Sequence, residues 1–218
     1  MVIRSVNVGR PRPLDVGGGR TVLSGIVKSP VAGRVAVGTT NLEGDGQADL
    51  SVHGGVDKAV YAYPFEHYAY WRDTLGRADL EPGHFGENLT TEGLLEDDVR
   101  VGDVLRVGSA LLEVSQPRVP CFKLAARMDD PAFARPFLAS GRVGFYVRVL
   151  ETGALAAGDT VTRERRGEGG LSIRAAAALL SDGSDAGALE RAAAVPALAE
   201  GWRESFAERA ARIRRRRP

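Results

Sequence analysis

The chain has one cysteine, three histidines and two tryptophans among 218 residues, and a formal net charge of only +1. Each shortage excludes something. A lone cysteine cannot build an intramolecular disulfide framework. Histidines scattered at His53, His67 and His84 offer no Cys/His zinc spacing, so a structural zinc is not expected. The balanced charge predicts neither general nucleic-acid binding nor attraction to an anionic membrane, and no apolar run approaches the about 20 residues that span a bilayer. Met1 to Gly9 alternates like a strand and lacks the basic and apolar regions of a signal peptide, which points to the cytoplasm. What is present is 44% hydrophobic content, ample for a packed core in one domain with a small addition.

Short alternating runs dominate the first 165 residues or so. Val2 to Val8, Val22 to Val27 and Arg34 to Thr39 read as strands, and Gly17-Gly18-Gly19 reads as a turn because no helix and no Lys-Ser/Thr follows it. Val99 to Val107 and Leu111 to Ser115 form an expected hairpin across Gly108-Ser109, and Val143, Phe145, Val147 and Val149 alternate strictly. One amphipathic helix is expected from Pro64 to Leu75, with Phe65, Tyr68, Trp71 and Leu75 on its apolar stripe and His67 off it, in solvent. Many short strands with few helices among them argue for a barrel or sandwich. Arg163 to Gly170 reads as a charged, glycine-rich linker. The composition then turns to alanine, and Leu171 to Leu180, Ala186 to Ala194 and Pro196 to Arg212 read as three helices with Ser172, Asp185 and Pro196 near their starts. Arg214 to Arg217 form a basic tail, expected to be solvated.

The chemistry concentrates in three stretches. Pro117 and Pro120 stiffen the lead into Cys121, and a helical pattern follows to Met128. Arg118, Lys123 and a first helical turn all favour thiolate at Cys121, so the sulfur is a candidate metal ligand, although a lone cysteine also serves as a small buried apolar residue. In the second stretch, an extended Ala48 to His53 places Asp49, Ser51 and His53 on one face; Gly54-Gly55 then permits a sharp turn, and Lys58 stands behind as an anion contact. Read alone, this segment is better taken as a hydrogen-bonded histidine beside a turn. In the third, Asn88 lies in a glycine-flanked loop, suited either to the edge of a heterocycle or to stabilising a turn.

Four separated motifs, Asp49-x-x-x-His53-Gly54-Gly55-x-Asp57-Lys58-Ala59-Val60-Tyr61, Gly86-Glu87-Asn88-Leu89, Gly102-Asp103 and Gln116-Pro117-Arg118-x-Pro120-Cys121-x-Lys123-Leu124, resemble the MOSC domain in its YiiM-like branch. Leu171-Ser172-Ile173 and Gly201-Trp202-Arg203 resemble that branch's three-helix addition. The resemblance implies a mainly β fold, a MOSC-type β-barrel over residues 1–165 with a few helices, followed by a small α-helical domain over 171–213. It further implies the molybdenum cofactor (molybdopterin), held with Cys121 as protein ligand to molybdenum. Arg118, Lys123, Asn88, Gly54, Gly55 and Lys58 become cofactor-binding candidates, and His53 and Asp49 catalytic ones, as proton donors. The activity implied is reduction of N-hydroxylated bases such as 6-hydroxylaminopurine to amines. No flavin or nicotinamide motif stands in the chain, so the electron donor is expected to be a flavoprotein reductase; a homodimer is left open. Two rivals are a non-catalytic carrier of the cofactor or of persulfide sulfur on Cys121, and an interaction protein working through its helical tail.

Overall fold

The computed structural model describes residues 1–48 and 54–216, so most of the expected extended run from Ala48 to His53 lies outside the described residues. The amino-terminal strands are β1 (Val2–Val8), β2 (Arg12–Asp15), β3 (Thr21–Ser24), β4 (Ser29–Pro30) and β5 (Val35–Val37). After a short 3-10 turn at Val56–Lys58 come β6 (Val60–Pro64), helix α1 (Glu66–Leu75), β7 (Leu89–Glu92), β8 (Val104–Val107) and β9 (Ala110–Pro117). Two short helices, α2 (Phe122–Arg127) and α3 (Ala134–Ala139), precede β10 (Phe145–Glu151), β11 (Gly153–Leu155) and β12 (Val161–Arg165). The chain ends in α4 (Ile173–Ser181), α5 (Ala186–Ala193) and α6 (Glu200–Arg216).

Eight strands join in the order β12-β8-β9-β10-β6-β7-β1-β4, antiparallel throughout except for the parallel pair β6 and β7. The expected barrel is corrected here to an open, mixed sheet. Its ladder ends at β12 and β4; the start of β1 meets the approach to β12 through the isolated bridge Val2 to Thr160 and main-chain bonds from Ile3 N to Asp159 O, Gly158 N to Ile3 O and Val161 N to Met1 O, without a continuous strand pairing. The physical reason lies in the edges. β4 is two residues long and contains Pro30, which has no amide hydrogen to donate onward, and the register of β1 slips between Ile3 and Ser5. The hairpin of β8 and β9 turns at Gly108, as its sequence requires, and the Gly17 to Gly19 run forms the turn between β2 and β3.

β6 is buried along its whole length. Tyr63 from this strand and Tyr68 and Trp71 from α1 pack with Phe85, Phe133 and Phe137, all fully buried. His67 is the exception to the expected pattern. It is buried, with Nε2 2.7 Å from Glu96 Oε2, because residues around Leu94 to Glu96 cover the helix face that a single-stripe pattern assigns to solvent.

The three carboxy-terminal helices form close to where alanine-rich periodicity places them. Ser172 Oγ accepts from Ala175 N at 3.1 Å, and Asp185 Oδ1 accepts from Gly187 N and Ala188 N, so both expected caps are made. α6 begins at Glu200 rather than Pro196 and continues through Arg216, with Arg214 paired to Glu190. The unit meets the sheet through main-chain bonds from Val101 N to Leu171 O and from Ile173 N to Val99 O, and through Arg174 and Asp97 at 2.6 Å.

Candidate functional site

β9 ends at Pro117, and the next residues lead into α2 with Cys121 just ahead of its first turn, in extended geometry at φ −125°. Cys121 is partly exposed at the wall of a pocket lined also by Lys28, Asp45, Lys58, Tyr61, Asn88, Arg118, Lys123 and Tyr146. The pocket is open to solvent, with a cavity volume of about 100 Å³. Part of its wall is bare backbone. A Cβ on Gly25 would stand 2.2 Å from the Gly46 carbonyl, so glycine there lets two chain segments meet beside the cavity.

Arg118 is 5% exposed and lies over the rings of Tyr61 and Phe137, 5.0 and 5.4 Å from their centroids. Its Nη1 is buried without a hydrogen-bond partner among the described residues. A guanidinium stays charged at any working pH, and an unpartnered buried donor is costly, so this nitrogen is suited to an incoming anion. Opposite it, Lys28 and Asp45 form a buried ion pair. Burial lowers the Lys28 pKa and the Asp45 carboxylate works against that fall.

Of the residues singled out from the sequence, Lys58, Asn88, Arg118, Cys121 and Lys123 line this one pocket. Gly55, at φ 95°, starts the turn that carries Lys58 to the wall, a conformation that favours glycine; Gly54 precedes it. Asp49 and His53 lie outside the described residues. Asn88 has a second occupation. Its Oδ1 accepts from Tyr61 N at 3.1 Å, and its Nδ2 donates to Asp45 Oδ2 at 2.8 Å and to Asn7 O at 3.3 Å, so the amide holds β6, β1 and the Asp45 turn together behind the wall. Glu87 beside it is fully buried. Its Oε1 accepts from Tyr68 and from Gly83 N and Thr90 Oγ1 at 2.7 and 2.8 Å, while Oε2 has no partner among the described residues, and burial raises its pKa.

Sequence reasoning missed Lys28, Asp45, Tyr61 and Tyr146 as lining residues. Lys28 stands alone after a short apolar run, and Asp45 sits in a Gly-Asp-Gly turn, so neither carries a local signal; the two tyrosines stand within apolar strand patterns that do not mark them as lining. The donor set itself fits a particular kind of ligand. Among the described residues no group of three or more His, Cys, Asp or Glu side chains could hold a metal ion, so a metal bound at Cys121 must bring most of its own ligands. A soft thiol beside a buried guanidinium with one nitrogen unpartnered among the described residues fits a thiophilic metal carried on an anionic organic group.

The comparisons agree along the whole chain. The MOSC domain family matches residues 49–162, and the YiiM-like, 3-alpha helix domain matches residues 174–212. The chain is 42% identical over 212 residues to the uncharacterized protein YflK of Bacillus subtilis, covering 97% of this chain and 95% of YflK. The crystal structure of YiiM from Geobacillus stearothermophilus superposes with a TM-score of 0.81 at 41% identity, over 95% of this chain and 98% of that one. A protein of Gibberella moniliformis named reductase is 38% identical over 164 residues, a match spanning 29% of its length.

Proposed function

The chain belongs to the MOSC family, in its YiiM-like branch, and from that premise we propose that it is a molybdenum-cofactor-dependent reductase of N-hydroxylated bases such as 6-hydroxylaminopurine. The observation that carries the proposal is the pairing, in one pocket, of the only cysteine with the buried Arg118 whose Nη1 has no partner among the described residues. The reductase-named relative supports redox chemistry.

Cys121 is the proposed thiolate ligand to molybdenum. Arg118, Lys123 and Lys58 offset the charge of the cofactor's phosphate and dithiolene, with the Gly54-Gly55 turn setting Lys58 in place. When bound, the cofactor supplies the two-electron couple. The net change is R–NHOH plus two electrons and two protons to R–NH2 and water, so the chain's own task is to seat the base, keep the charges matched and deliver protons. Asp49 and His53 are the proposed donors. Asn88, bonded through both ends of its amide, holds the wall that it lines and is the proposed contact to the cofactor there. Electrons come from a flavoprotein reductase. The boundaries 1–165 and 171–213 are the proposed division between the cofactor-binding and helical units.

The test is expression in hosts with and without molybdenum-cofactor synthesis. The parent from the competent host is expected to carry molybdenum and reduce 6-hydroxylaminopurine. Cys121→Ser is expected to lose turnover to background and to change stability by less than about 1 kcal/mol, since a partly exposed thiol contributes little packing. Molybdenum retention without amine product from any electron donor would instead support the carrier role.

A further inference from the structure

Arg148, on β10, binds three separate chain segments with one guanidinium. Its Nε donates to Asp57 Oδ1 at 2.8 Å, Nη1 to Glu113 Oε2 at 2.8 Å, and Nη2 to the Ala197 carbonyl at 2.9 Å. Asp57 belongs to the Val56–Lys58 turn, and Ala197 to the connection between α5 and α6. That connection touches the turn by a second route. Ala199 N donates to the Ser115 carbonyl at 3.2 Å, and Ser115 Oγ lies 2.5 Å from the Asp57 carbonyl. Both residues that fix Asp57 are therefore themselves fixed by two residues of one helical connection.

The turn is held at its other end from the pocket side. Gln47 Nε2 donates to the Lys58 carbonyl at 3.1 Å, and Gln47 and Lys58 both line the pocket. Lys58 N closes the turn onto the Gly55 carbonyl. The seam between Arg148 and the helices is loosely filled, with a cavity of about 270 Å³ bordered by Glu113, Arg148, Arg165, Val195 and Ala197. Registry across it is thus set by directed, charge-assisted bonds rather than by close apolar packing, and such bonds fix orientation.

We propose that Arg148 is a positioning residue through which the carboxy-terminal helices set the Gly55–Lys58 turn, and so the placement of Lys58 in the pocket. This assigns the helical unit a role in the site that no side chain of its own enters. The inference rests on the Cys121 pocket being the functional site, and not on the metal it holds.

Hydrogen exchange on the full-length protein, with and without cofactor, tests it. Arg148→Met is expected to speed exchange of the Lys58 amide by roughly tenfold or more, the size associated with losing a charge-assisted hydrogen bond. Asp57→Asn, which removes the acceptor's charge and so weakens the same bond with little change of shape, is expected to speed it to a smaller degree. Arg174→Met, which cuts a different contact between the helices and the sheet, is expected to leave that amide unchanged. In the loaded enzyme, Arg148→Met should raise KM for 6-hydroxylaminopurine more than it lowers kcat, with partial rescue by Arg148→Lys. Unaltered Lys58 exchange in both Arg148→Met and Asp57→Asn, or equal acceleration in Arg174→Met, overturns the proposal. Accelerated exchange in a protein that never binds molybdenum leaves this inference standing and removes the proposed activity; turnover with unaltered exchange does the reverse.

Discussion

Tyr61 and Tyr63 stand two residues apart on β6 with ring centroids 6.2 Å apart, yet they face surroundings built on opposite terms. The Tyr63 hydroxyl accepts from Trp71 Nε1 at 2.7 Å and lies 3.2 Å from the Arg142 carbonyl, and its ring packs against Phe85 at 4.6 Å. Tyr61 donates to the Val143 carbonyl at 2.8 Å, but its ring supports Arg118, where one buried guanidinium nitrogen has no partner among the described residues. Within the aromatic cluster the Tyr63 and Trp71 tips are matched to each other; on the pocket side the match at Arg118 is left incomplete. An unsatisfied buried donor costs about 1–3 kcal/mol, more for a charged group. The fold therefore carries its destabilisation at the place where an anionic ligand can relieve it.

The strongest way to sharpen that contrast is to empty the matched side. Trp71→Ala removes a fully buried ring that lies 5.0 Å from Phe133 and 5.7 Å from Phe137. A loss of about 3–5 kcal/mol is expected, read as a lower urea midpoint at an unchanged slope. Arg118→Met on the pocket side should behave differently. Replacing an incompletely paired buried charge with an apolar side chain of similar length is expected to be neutral or stabilising, by up to about 1–4 kcal/mol, while molybdenum retention collapses. A destabilisation as large as that of Trp71→Ala would break the comparison, because it would mean that Arg118 is satisfied from within.

Much of this site is legible in the sequence because its signals are local. Pro117 and Pro120 around Cys121, and glycines ahead of Lys58, fix backbone geometry wherever the rest of the chain goes. Lys28 and Asp45 were not legible. Their pairing joins residues 17 positions apart across two loops, and neither position looks unusual by itself. His67 was misplaced for a related reason: periodicity identifies one apolar stripe on α1 but is silent about Glu96, which arrives from elsewhere to cover a second side. α3 was concealed by Pro136, a helix breaker in the interior that is tolerated here in the first turn. The barrel expectation failed at the edges. Alternating patterns identify strands, whereas ladder closure depends on features as small as the two-residue β4 with its proline.

A finer test uses single hydroxyls. Tyr63→Phe strands the Trp71 indole N–H in a buried site and is expected to cost about 1–3 kcal/mol. Tyr61→Phe removes a donor from one carbonyl and is expected to cost about 0.5–1.5 kcal/mol, with a larger effect on cofactor retention than on folding. Equal costs in thermal and urea unfolding would argue that the two hydroxyls are equally integrated.

The smallest expected effect is a slope. Burial raises the Glu87 pKa, so above the ordinary carboxyl value the unfolded chain gives up its proton first, the folded state binds more protons, and stability falls as pH rises through that window. His84, three residues earlier, runs the other way. Burial first, and then the charges of Arg127 and Arg77, lower its pKa to about 4, so the unfolded chain binds more protons between there and about 6.5 and stability is lost as pH falls. Each group alone changes stability by at most about 1.4 kcal/mol per pH unit, and where their windows overlap the two slopes oppose. Glu87→Gln should leave the histidine slope exposed, so that urea midpoints measured from pH 4.5 to 6.5 climb more steeply than in the parent. His84→Gln should flatten or reverse the climb. If the two variants shift the profile in the same direction, the buried carboxylate is ionised in the folded protein, and its unpartnered Oε2 must then be counted with Arg118 on the unsatisfied side of β6 rather than with the aromatic cluster.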